Sequence, residues 1–401
     1  MTSLAWKINR LRTMGVGEIT WRVQNALQKR VEKKGFMLAH KVPAMIAGAR
    51  FGRPWLPVLP EGFELARYCA AADAIIAGKF KVFALPAAEL GFPPNWNRDP
   101  KTGKIAPLSF GKTLDYRDER IVGNIKYLWE PNRHYELVTL AQAWYLSREV
   151  KYRDACAALL NSWFEQAPYP RGVSWSSSLE NALRISNWSV AWHLLGGDKS
   201  SIFEGEAGAA LKQRWLDSIY QHCHFIASHF SLYSSANNHL LGEYMGLFIG
   251  ASTWPCWSES ARWRRHAKQG LEEQALIQNG RDGVNLEQGI WYHHEVADML
   301  LINGLVGRAN GDEFSKEYWA RLEAMLEFIQ ALLDVNGNMP MIGDSDDALM
   351  VRFSHQADFD PYHALLASGA ILFQRADFAA KAGRFEDKSR WLLGDGAEAE
   401  F

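Results

Sequence analysis

The sequence predicts an all-α domain made of antiparallel helical hairpins, and three features of the chain support this fold class. Apolar residues recur three and four positions apart over the last two thirds of the chain, which is the period of an amphipathic helix. Short turns rich in glycine and proline separate these stretches. The alternation of apolar and polar residues that marks strands is scarce. Many successive helices joined by short turns favour a curved stack or a closed ring of hairpins.

Eight helices follow one another in this pattern. They are predicted over residues 133–148, 151–165, 179–195, 206–230, 238–251, 258–279, 287–308 and 316–335. The turns between them contain Pro168, Pro170, the Gly-Gly-Asp of 196–198, Trp254, Pro255, Gly280, Gly283, Gly311 and Gly337. Helices of this length with such short connections pack antiparallel to their neighbours.

Composition divides the chain into three regions. Residues 1–50 are predicted to form an amphipathic, basic N-terminal arm, 51–122 an irregular wrapping segment rich in proline, glycine and aromatic residues, and 123–401 the helical domain. No long helix is expected in 51–122, because proline removes a backbone donor and restricts the preceding residue. We expect this segment to deliver Asn95, Trp96 and Arg98 to a surface or cleft.

The basic N-terminal arm also gives an expectation for where in the cell the protein is located. It lacks the continuous apolar stretch of a secretory signal, which predicts a cytoplasmic protein. A basic amphipathic segment can make peripheral contact with an anionic membrane surface, but packing on its own domain or on a partner is the favoured interpretation. No window of the sequence approaches the length of a membrane span.

Charge and cysteine content exclude several classes of function. The 401 residues carry a net charge of −1, so no overall field recruits a nucleic acid, and local basic groups must meet any acidic substrate. The four cysteines are far apart and share no CxxC spacing, which indicates neither a disulfide framework nor a zinc site. No cofactor is predicted, and the oligomeric state is left open.

Two polar stretches stand at the starts of otherwise apolar helices. The first is Ser-Ala-Asn-Asn-His-Leu-Leu-Gly-Glu at 235–243, in which Asn237 and Asn238 are good helix N-caps and His239 lies in the first turn. Backbone N–H groups and the helix dipole there favour a carboxylate. The second is Asn-Leu-Glu-Gln-Gly-Ile-Trp-Tyr-His-His at 285–294. The asparagines can equally be simple caps, and Tyr292 a core tyrosine.

A third motif, Pro-Met-Ile-Gly-Asp-Ser-Asp-Asp, follows at 340–347. Together, in this order, the three motifs resemble the helical toroid domain of the heparinase II/III-like polysaccharide lyases, a family that includes alginate lyases. The resemblance implies an (α/α) incomplete toroid and catalytic roles for Asn238 and Tyr292, which are 54 positions apart (292 − 238). Relatives continue into a C-terminal β-sandwich domain, which we expect to be absent from this chain.

The chemistry of elimination agrees with these residue types. Breaking the C4–O4 bond of a uronic acid requires removal of a weakly acidic proton at C5, so the neighbouring carboxylate must first be neutralised. Asn238 and His239 can supply hydrogen-bond donors for that purpose. Tyr292 is the predicted proton-transfer residue, assisted by His293 or His239. The sequence therefore predicts a carbon–oxygen lyase acting on a uronic-acid-containing acidic polysaccharide, glycosaminoglycan-like or alginate-like.

Further polar and aromatic residues at predicted helix starts are candidates for substrate binding. They are Trp129, Arg133, His134, Trp175, Glu180, Arg184, Asn237 and Glu287. Helix N-termini and flat indole rings suit sugars that carry carboxylate or sulfate. Glu180 and Arg184 can instead form an ordinary ion pair four residues apart on one helix.

The sequence leaves three alternatives open. The acidic residues at 343–347 permit a calcium loop, but a turn with side-chain hydrogen bonds is favoured and no metal is predicted. A non-catalytic toroid that binds an acidic glycan is a second reading of the whole chain. A glycoside hydrolase is a third, with paired carboxylates drawn from Glu180, Glu243, Asp282 and Glu287.

Overall fold

The computed structural model describes residues 13–57, 62–83, 85–345, 347–394 and 396–401. Helices make up 61% of the structure and strands 4%, which confirms the predicted all-α class. None of the helices in these ranges has the length and apolarity needed to cross a bilayer. The first twelve residues of the N-terminal arm, together with Asp346 of the third motif, lie outside the described residues.

The helices follow the predicted order. They are α1 Val16–Lys33, α2 Leu65–Ile76, α3 Glu119–Val122, α4 Ile125–Asn132, α5 Tyr135–Ser147, α6 Val150–Gln166, α7 Ser178–Leu194, α8 Gly205–Ser228, α9 Asn238–Thr253, α10 Ser260–Ile277, α11 Ile290–Ala309, α12 Lys316–Leu332, α13 Pro361–Leu372, α14 Ala376–Ala382, α15 Asp387–Leu393 and α16 Gly396–Glu400. Strands β1 Lys79–Val82 and β2 Leu85–Glu89 form an antiparallel hairpin, with Lys79 opposite Glu89.

The helices from α5 onward form two layers. Helix α5 packs against α6 and α7, α7 against α8 and α9, α9 against α10 and α11, and α11 against α12 and α13. The alternate helices α5, α7, α9, α11 and α13 therefore make one continuous layer and their hairpin partners the other. Helix α9 is apolar nearly all round, and each of its residues except His239 is buried. His239 is thereby left at the end of a core helix.

The segment 51–122 was expected to be irregular, but it contains α2 and the β1–β2 hairpin. Its proline and glycine clusters lie on either side of α2, which contains neither residue and buries Tyr68, Ala72 and Ile75 at helical spacing. The Tyr68 hydroxyl donates to the Asp387 carboxylate at 3.0 Å and accepts from the Trp391 indole at 3.0 Å. The segment before the helical ring thus contacts its last helices.

Two other expectations for chain segments need correction. Trp96 does not face a cleft, because its ring is buried in the core and its indole donates to Ser162 at 3.1 Å. The helix expected from residue 287 begins at Ile290, since Gln288 has a φ of 58° and interrupts helical geometry. Residues 285–289 are a loop, and this loop shapes the candidate site.

Candidate active site

A polar cleft of about 460 Å³ lies where α7, α9 and α11 begin. Its lining includes nine charged or hydrogen-bonding side chains from these helix starts and their surroundings, namely Arg133, Ser177, Glu180, Asn237, Asn238, His239, Glu287, Tyr292 and Glu295. Apolar residues complete it, among them Leu179, Leu183, Met299 and Met350. The two motifs that stand 54 positions apart in sequence therefore share one cavity.

Asn238 is held in place by a carboxylate of the chain itself. Asn237 caps α9, with its Oδ1 accepting from the His239 N–H at 3.1 Å. Glu287 accepts from the Asn238 backbone N–H at 2.7 Å and from Asn238 Nδ2 at 3.1 Å, and also from Asn237 Nδ2 at 3.3 Å. The helix start thus binds Glu287 where the sequence suggested an incoming carboxylate. Glu287 fixes the orientation of the Asn238 amide.

His293 does not reach the cleft, which corrects its predicted catalytic role. Its ring is buried, with Nε2 donating to the Met325 carbonyl at 3.0 Å and Nδ1 accepting from the Asn285 N–H at 3.4 Å. Acceptance at Nδ1 requires the neutral ring, and burial lowers the pKa of His293 to about 4. Asn285 in turn accepts from the Glu287 N–H at 3.0 Å. His293 therefore braces the loop that carries Glu287.

Tyr292 occupies the cleft and is hydrogen-bonded to the third motif. Its hydroxyl donates to Asp344 Oδ2 at 3.0 Å. Gly343 makes this possible, because it has a φ of 74° and a Cβ there would lie 2.7 Å from the Gln288 carbonyl oxygen. The acidic segment thus packs on the 285–289 loop and points a carboxylate at the phenol. Among the described residues, no group of three His, Cys, Asp or Glu side chains is arranged to hold a metal ion.

Arg133 and Glu180 meet at the cleft wall as a buried ion pair. Arg133 donates through Nε and Nη2 to the two oxygens of Glu180 at 2.8 and 2.9 Å, and through Nη1 to Glu130 at 3.1 Å. Burial raises the pKa of Glu130 to about 7, against the opposing effect of Arg133 and Arg352. Each of the three guanidinium nitrogens thus donates to a carboxylate of the protein. Arg133 lines the cleft as predicted, but its position makes it a support of the wall.

Comparison with known proteins identifies the family. A family model described as Heparinase II/III N-terminus matches residues 66–362, which include both polar helix starts and the third motif. The chain belongs to the heparinase II/III N-terminus family.

Two curated proteins named heparin-sulfate lyase are similar to the chain. It is 24% identical over 236 residues to a heparin-sulfate lyase from Bacteroides stercoris, a match that covers 55% of this chain and 35% of the relative. It is 30% identical over 139 residues to a heparin-sulfate lyase from Pedobacter heparinus, covering 34% of this chain and 20% of the relative. The chain thus matches about a third or less of each curated relative.

Solved structures share the helical toroid fold. The crystal structure of heparan sulfate lyase HepC from Pedobacter heparinus superposes with a TM-score of 0.54 at 16% identity, over 94% of this chain and 55% of that one. The crystal structure of Heparinase III gives a TM-score of 0.52 at 15% identity, over 80% of this chain and 45% of that one. The predicted toroid is therefore confirmed.

Two residues predicted to bind substrate lie in the core of this heparinase-family domain. Trp175 is buried, and its indole donates to the Ala167 carbonyl at 3.0 Å. His134 is also buried and accepts a hydrogen bond from the Trp188 indole at 2.8 Å. His134 precedes α5 with a φ of 65°, so its ring turns away from the cleft that neighbouring Arg133 lines. The substrate-binding prediction is wrong for both.

Arg184 is a third such case in the heparinase-family core. It is fully buried, donates to the Asn132 carbonyl at 2.6 Å and lies over the Trp163 ring at 4.7 Å. It does not line the cleft, and no direct ion pair joins it to Glu180 within the described residues. Glu180 is bound by Arg133 instead. The predicted ion pair between Glu180 and Arg184 is therefore wrong, and so is a substrate contact by Arg184, whereas Glu180 lines the cleft.

The structure adds site residues that the sequence analysis did not select. Trp129 lines the cleft as predicted, with its ring 5.1 Å from Tyr116 and its indole donating to the Val173 carbonyl at 3.2 Å. Exposed Arg117 and Lys126 line the same cavity. They come from the segment around α3 and α4, which carries no recognisable motif. Asp344 belongs to the third motif and Tyr292 to the second, but no pattern in the sequence indicates the contact between them.

Proposed function

We propose that this chain is a lyase that cleaves a uronic-acid-containing glycosaminoglycan by β-elimination. The observation that carries the proposal is the meeting of Asn238 and Tyr292 in one cleft. Relatives named heparin-sulfate lyase support the substrate class. An alginate-like polyuronate has the same reactive group and is the alternative substrate.

Asn238 is the group that neutralises the substrate carboxylate. Its Nδ2 carries two hydrogens, and one of them is donated to Glu287. The other hydrogen can be donated to a uronate in the cleft. Because Glu287 holds the amide before substrate arrives, no reorganisation is needed as negative charge develops on the carboxylate. His239, exposed at the same helix start, is a second donor.

Tyr292 is the proton-transfer group. Its oxygen takes the C5 proton while its own hydroxyl proton passes to Asp344, so the phenol stays neutral and the Asp344 carboxyl becomes protonated. The C5 electrons form the C4–C5 double bond and the C4–O4 bond breaks. The departing O4 then receives a proton from Tyr292, which regains one from Asp344. Atoms and charge balance without a cofactor.

The cations at the cleft edge suit an acidic polymer. Arg133 is committed to Glu180 and Glu130, so it is a poor ligand for substrate. Arg117 and Lys126 are exposed and can meet carboxylate or sulfate groups. The half-buried ring of Trp129 offers a flat surface for a sugar.

The test is ultraviolet absorbance of the unsaturated product during incubation of the full chain with heparan sulfate, heparin, hyaluronan, alginate or polyglucuronate. We expect absorbance to rise with at least one polymer and this rise to be lost in Tyr292→Phe. Tyr233→Phe is the matched control, because Tyr233 is exposed and does not line the cleft. It should retain the activity of the unsubstituted chain.

Two other outcomes would contradict elimination. Glycan binding without product from any polymer would favour a non-catalytic toroid. New reducing ends without the chromophore would favour a hydrolase. For hydrolysis, Glu180 and Glu287 are the two suggested carboxylates that line the cleft, whereas Glu243 and Asp282 do not. Glu180 and Glu287 each accept at least two hydrogen bonds from the protein, which disfavours that role.

A further inference from the structure

Helix α1 packs on the domain with its polar side inward and its apolar side outward. Val16, Val23, Leu27 and Val31 are seven, four and four residues apart and so fall on one face of the helix. This face is exposed, with Val16 at 82%, Val23 at 54% and Leu27 at 53% of full accessibility. An ordinary surface helix buries such a stripe in its own protein.

The inward side of α1 is held by polar contacts. Glu32 accepts a hydrogen bond from His229 at 2.9 Å, and both side chains are buried. Gln28 donates to the Ser228 carbonyl at 3.1 Å. Near the other end of the helix, Ser234 donates to Glu18 at 2.6 Å. These contacts at both ends fix the direction in which the apolar stripe faces.

The exposed side continues beyond the helix. Phe36 and Met37 follow it and are 64% and 65% exposed. Arg30, Lys33 and Lys34 are exposed near the same end. Large apolar side chains and cations therefore share one surface. We call this surface, from Val16 to Met37, the arm face.

Acidic and basic residues also lie on different sides of α1. Residues 1–50 contain ten Lys or Arg and two acidic residues, Glu18 and Glu32. Both acidic side chains are turned into the domain and buried. The arm face, among the described residues 13–50, therefore has no exposed carboxylate to offset its cations. Such a surface is complementary to a negatively charged one.

We propose that the arm face binds the surface of an anionic phospholipid bilayer. The apolar side chains would enter the boundary between headgroups and acyl chains, while Arg30, Lys33 and Lys34 meet lipid phosphates. A protein partner fits less well, because lysine is depleted at protein interfaces and the apolar stripe is a single convex helix. In most helices that lie on a membrane surface, the polar side faces water. In this chain the polar side of α1 would face the helical domain instead.

The location of α1 gives this binding a consequence for the cleft. Arg22 donates to Ser234 at 3.0 Å, and Trp21 packs on Tyr233 with ring centroids 5.7 Å apart. The turn Tyr233–Ser235 leads directly into Asn237 and Asn238. A bilayer under α1 would hold the cleft beside the membrane surface. Membrane binding and glycan cleavage are separate properties, so either can fail alone.

The test is co-sedimentation of the full chain with vesicles of pure phosphatidylcholine or of an equimolar phosphatidylcholine and phosphatidylglycerol mixture. Binding is expected to the anionic vesicles, weakened as salt rises from about 0.1 to about 0.5 M. The double substitution Val23→Asp and Leu27→Asp should weaken it more than about tenfold, because charge replaces the inserted side chains. Arg30→Gln with Lys34→Gln should weaken it about fivefold for each cation removed.

Val335→Asp is the matched control, since Val335 is 99% exposed and lies outside the arm face. It should sediment like the unsubstituted chain. All variants substitute exposed side chains, and circular dichroism verifies that each is folded. Failure to bind anionic vesicles would overturn the proposal, as would equal binding by the Val23 and Leu27 variant. A concentration-dependent dimer abolished by that variant, without lipid binding, would instead make the arm face a contact between two copies.

Discussion

The Tyr292 hydroxyl donates a hydrogen bond of 3.0 Å to the carboxylate of Asp344, which comes from a segment 52 positions later in the chain. A phenol is a poor base while it keeps its own proton, so a base that acts through Tyr292 needs an acceptor for that proton. Asp344 lies on the cleft and has the required contact. The pairing depends on the turn at Gly343, which brings the acidic segment onto the 285–289 loop.

Asp344→Asn tests this relationship. The carboxamide still accepts a hydrogen bond from Tyr292 but cannot accept its proton, so kcat is expected to fall by about 100-fold with little change in KM. The matched control is Asp347→Asn, an exposed acidic residue of the same segment that does not line the cleft. A variant that raises KM at unchanged kcat would show that Asp344 only helps to hold substrate.

Glu287→Gln tests the support of Asn238. Glu287 accepts three N–H groups, and an amide in its place would turn an NH2 group toward at least one of these donors. We expect a loss of about 1–3 kcal/mol in unfolding free energy and a fall of about 100-fold in kcat/KM, because Asn238 is no longer oriented. Chemical denaturation and the ultraviolet assay measure the two effects.

The control for Glu287 is Glu206→Gln, an exposed glutamate in the first turn of α8. It should change neither stability nor activity. If Glu287→Gln kept full activity while losing stability, Glu287 would be a structural brace without influence on Asn238. If it changed neither, the amide would be oriented by other contacts.

Helical periodicity predicted the fold well because the two layers bury long apolar stripes. Helix α2 escaped notice because proline and glycine on both sides hid a twelve-residue stretch whose Tyr68, Ala72 and Ile75 carry the helical pattern. The toroid itself came from motif resemblance, since periodicity says which face is buried and not how successive hairpins curve.

The predicted site residues are correct where they stand at the starts of helices that meet in the cleft. They are wrong where packing decides the direction in which a side chain points. Asn238 and Tyr292 line the cleft, whereas Trp175 and Arg184 are buried although they belong to equally polar sequences. Adjacent residues can point opposite ways, as Arg133 and His134 do around a left-handed backbone position. Sequence patterns give residue type and period, and the direction of a side chain at an irregular helix start needs coordinates.

Removing the Arg133 side chain is expected to lower the unfolding free energy of the domain, because Arg133 supports the cleft wall. Arg133→Met would leave Glu180 buried without its cation and Glu130 with Arg352 alone at 3.7 Å, at a cost of about 3–5 kcal/mol in unfolding free energy. The double variant Arg133→Met with Glu180→Met should be at least about 1 kcal/mol more stable than Arg133→Met alone, because one stranded charge is gone. Urea denaturation measures all three proteins.

The comparison for Arg133 is Arg120→Met, which removes a 90% exposed arginine from a surface ion pair with Asp118. This change should leave stability nearly unaltered, since water solvates the remaining charge. Equal losses in the single variant at Arg133 and the double variant at Arg133 and Glu180 would mean that the stranded Glu180 charge is not the source of the cost.

Buried histidines should make the domain less stable as pH falls. His293 has its pKa lowered from 6.5 to about 4 by burial, so the folded form keeps this ring neutral while the unfolded chain protonates it below about 6.5. The contribution of this neutral ring to the unfolding free energy is fully present above pH 6.5 and is lost as pH falls toward 4. At pH 5 the loss from this one group is about 2 kcal/mol.

The variant His293→Gln isolates that contribution, because glutamine can donate to the Met325 carbonyl and accept from Asn285 but does not titrate. Unfolding free energy is measured by urea denaturation at pH 7.5 and pH 5 for both proteins. The original chain should lose about 2 kcal/mol more than the variant between these two conditions. Other buried histidines, such as His193 with its pKa lowered to about 4 by burial, contribute equally to both proteins and cancel in the difference. Identical pH dependence in the two proteins would mean that His293 takes up its proton without unfolding, and the 285–289 loop would then have to release the Asn285 contact in acid.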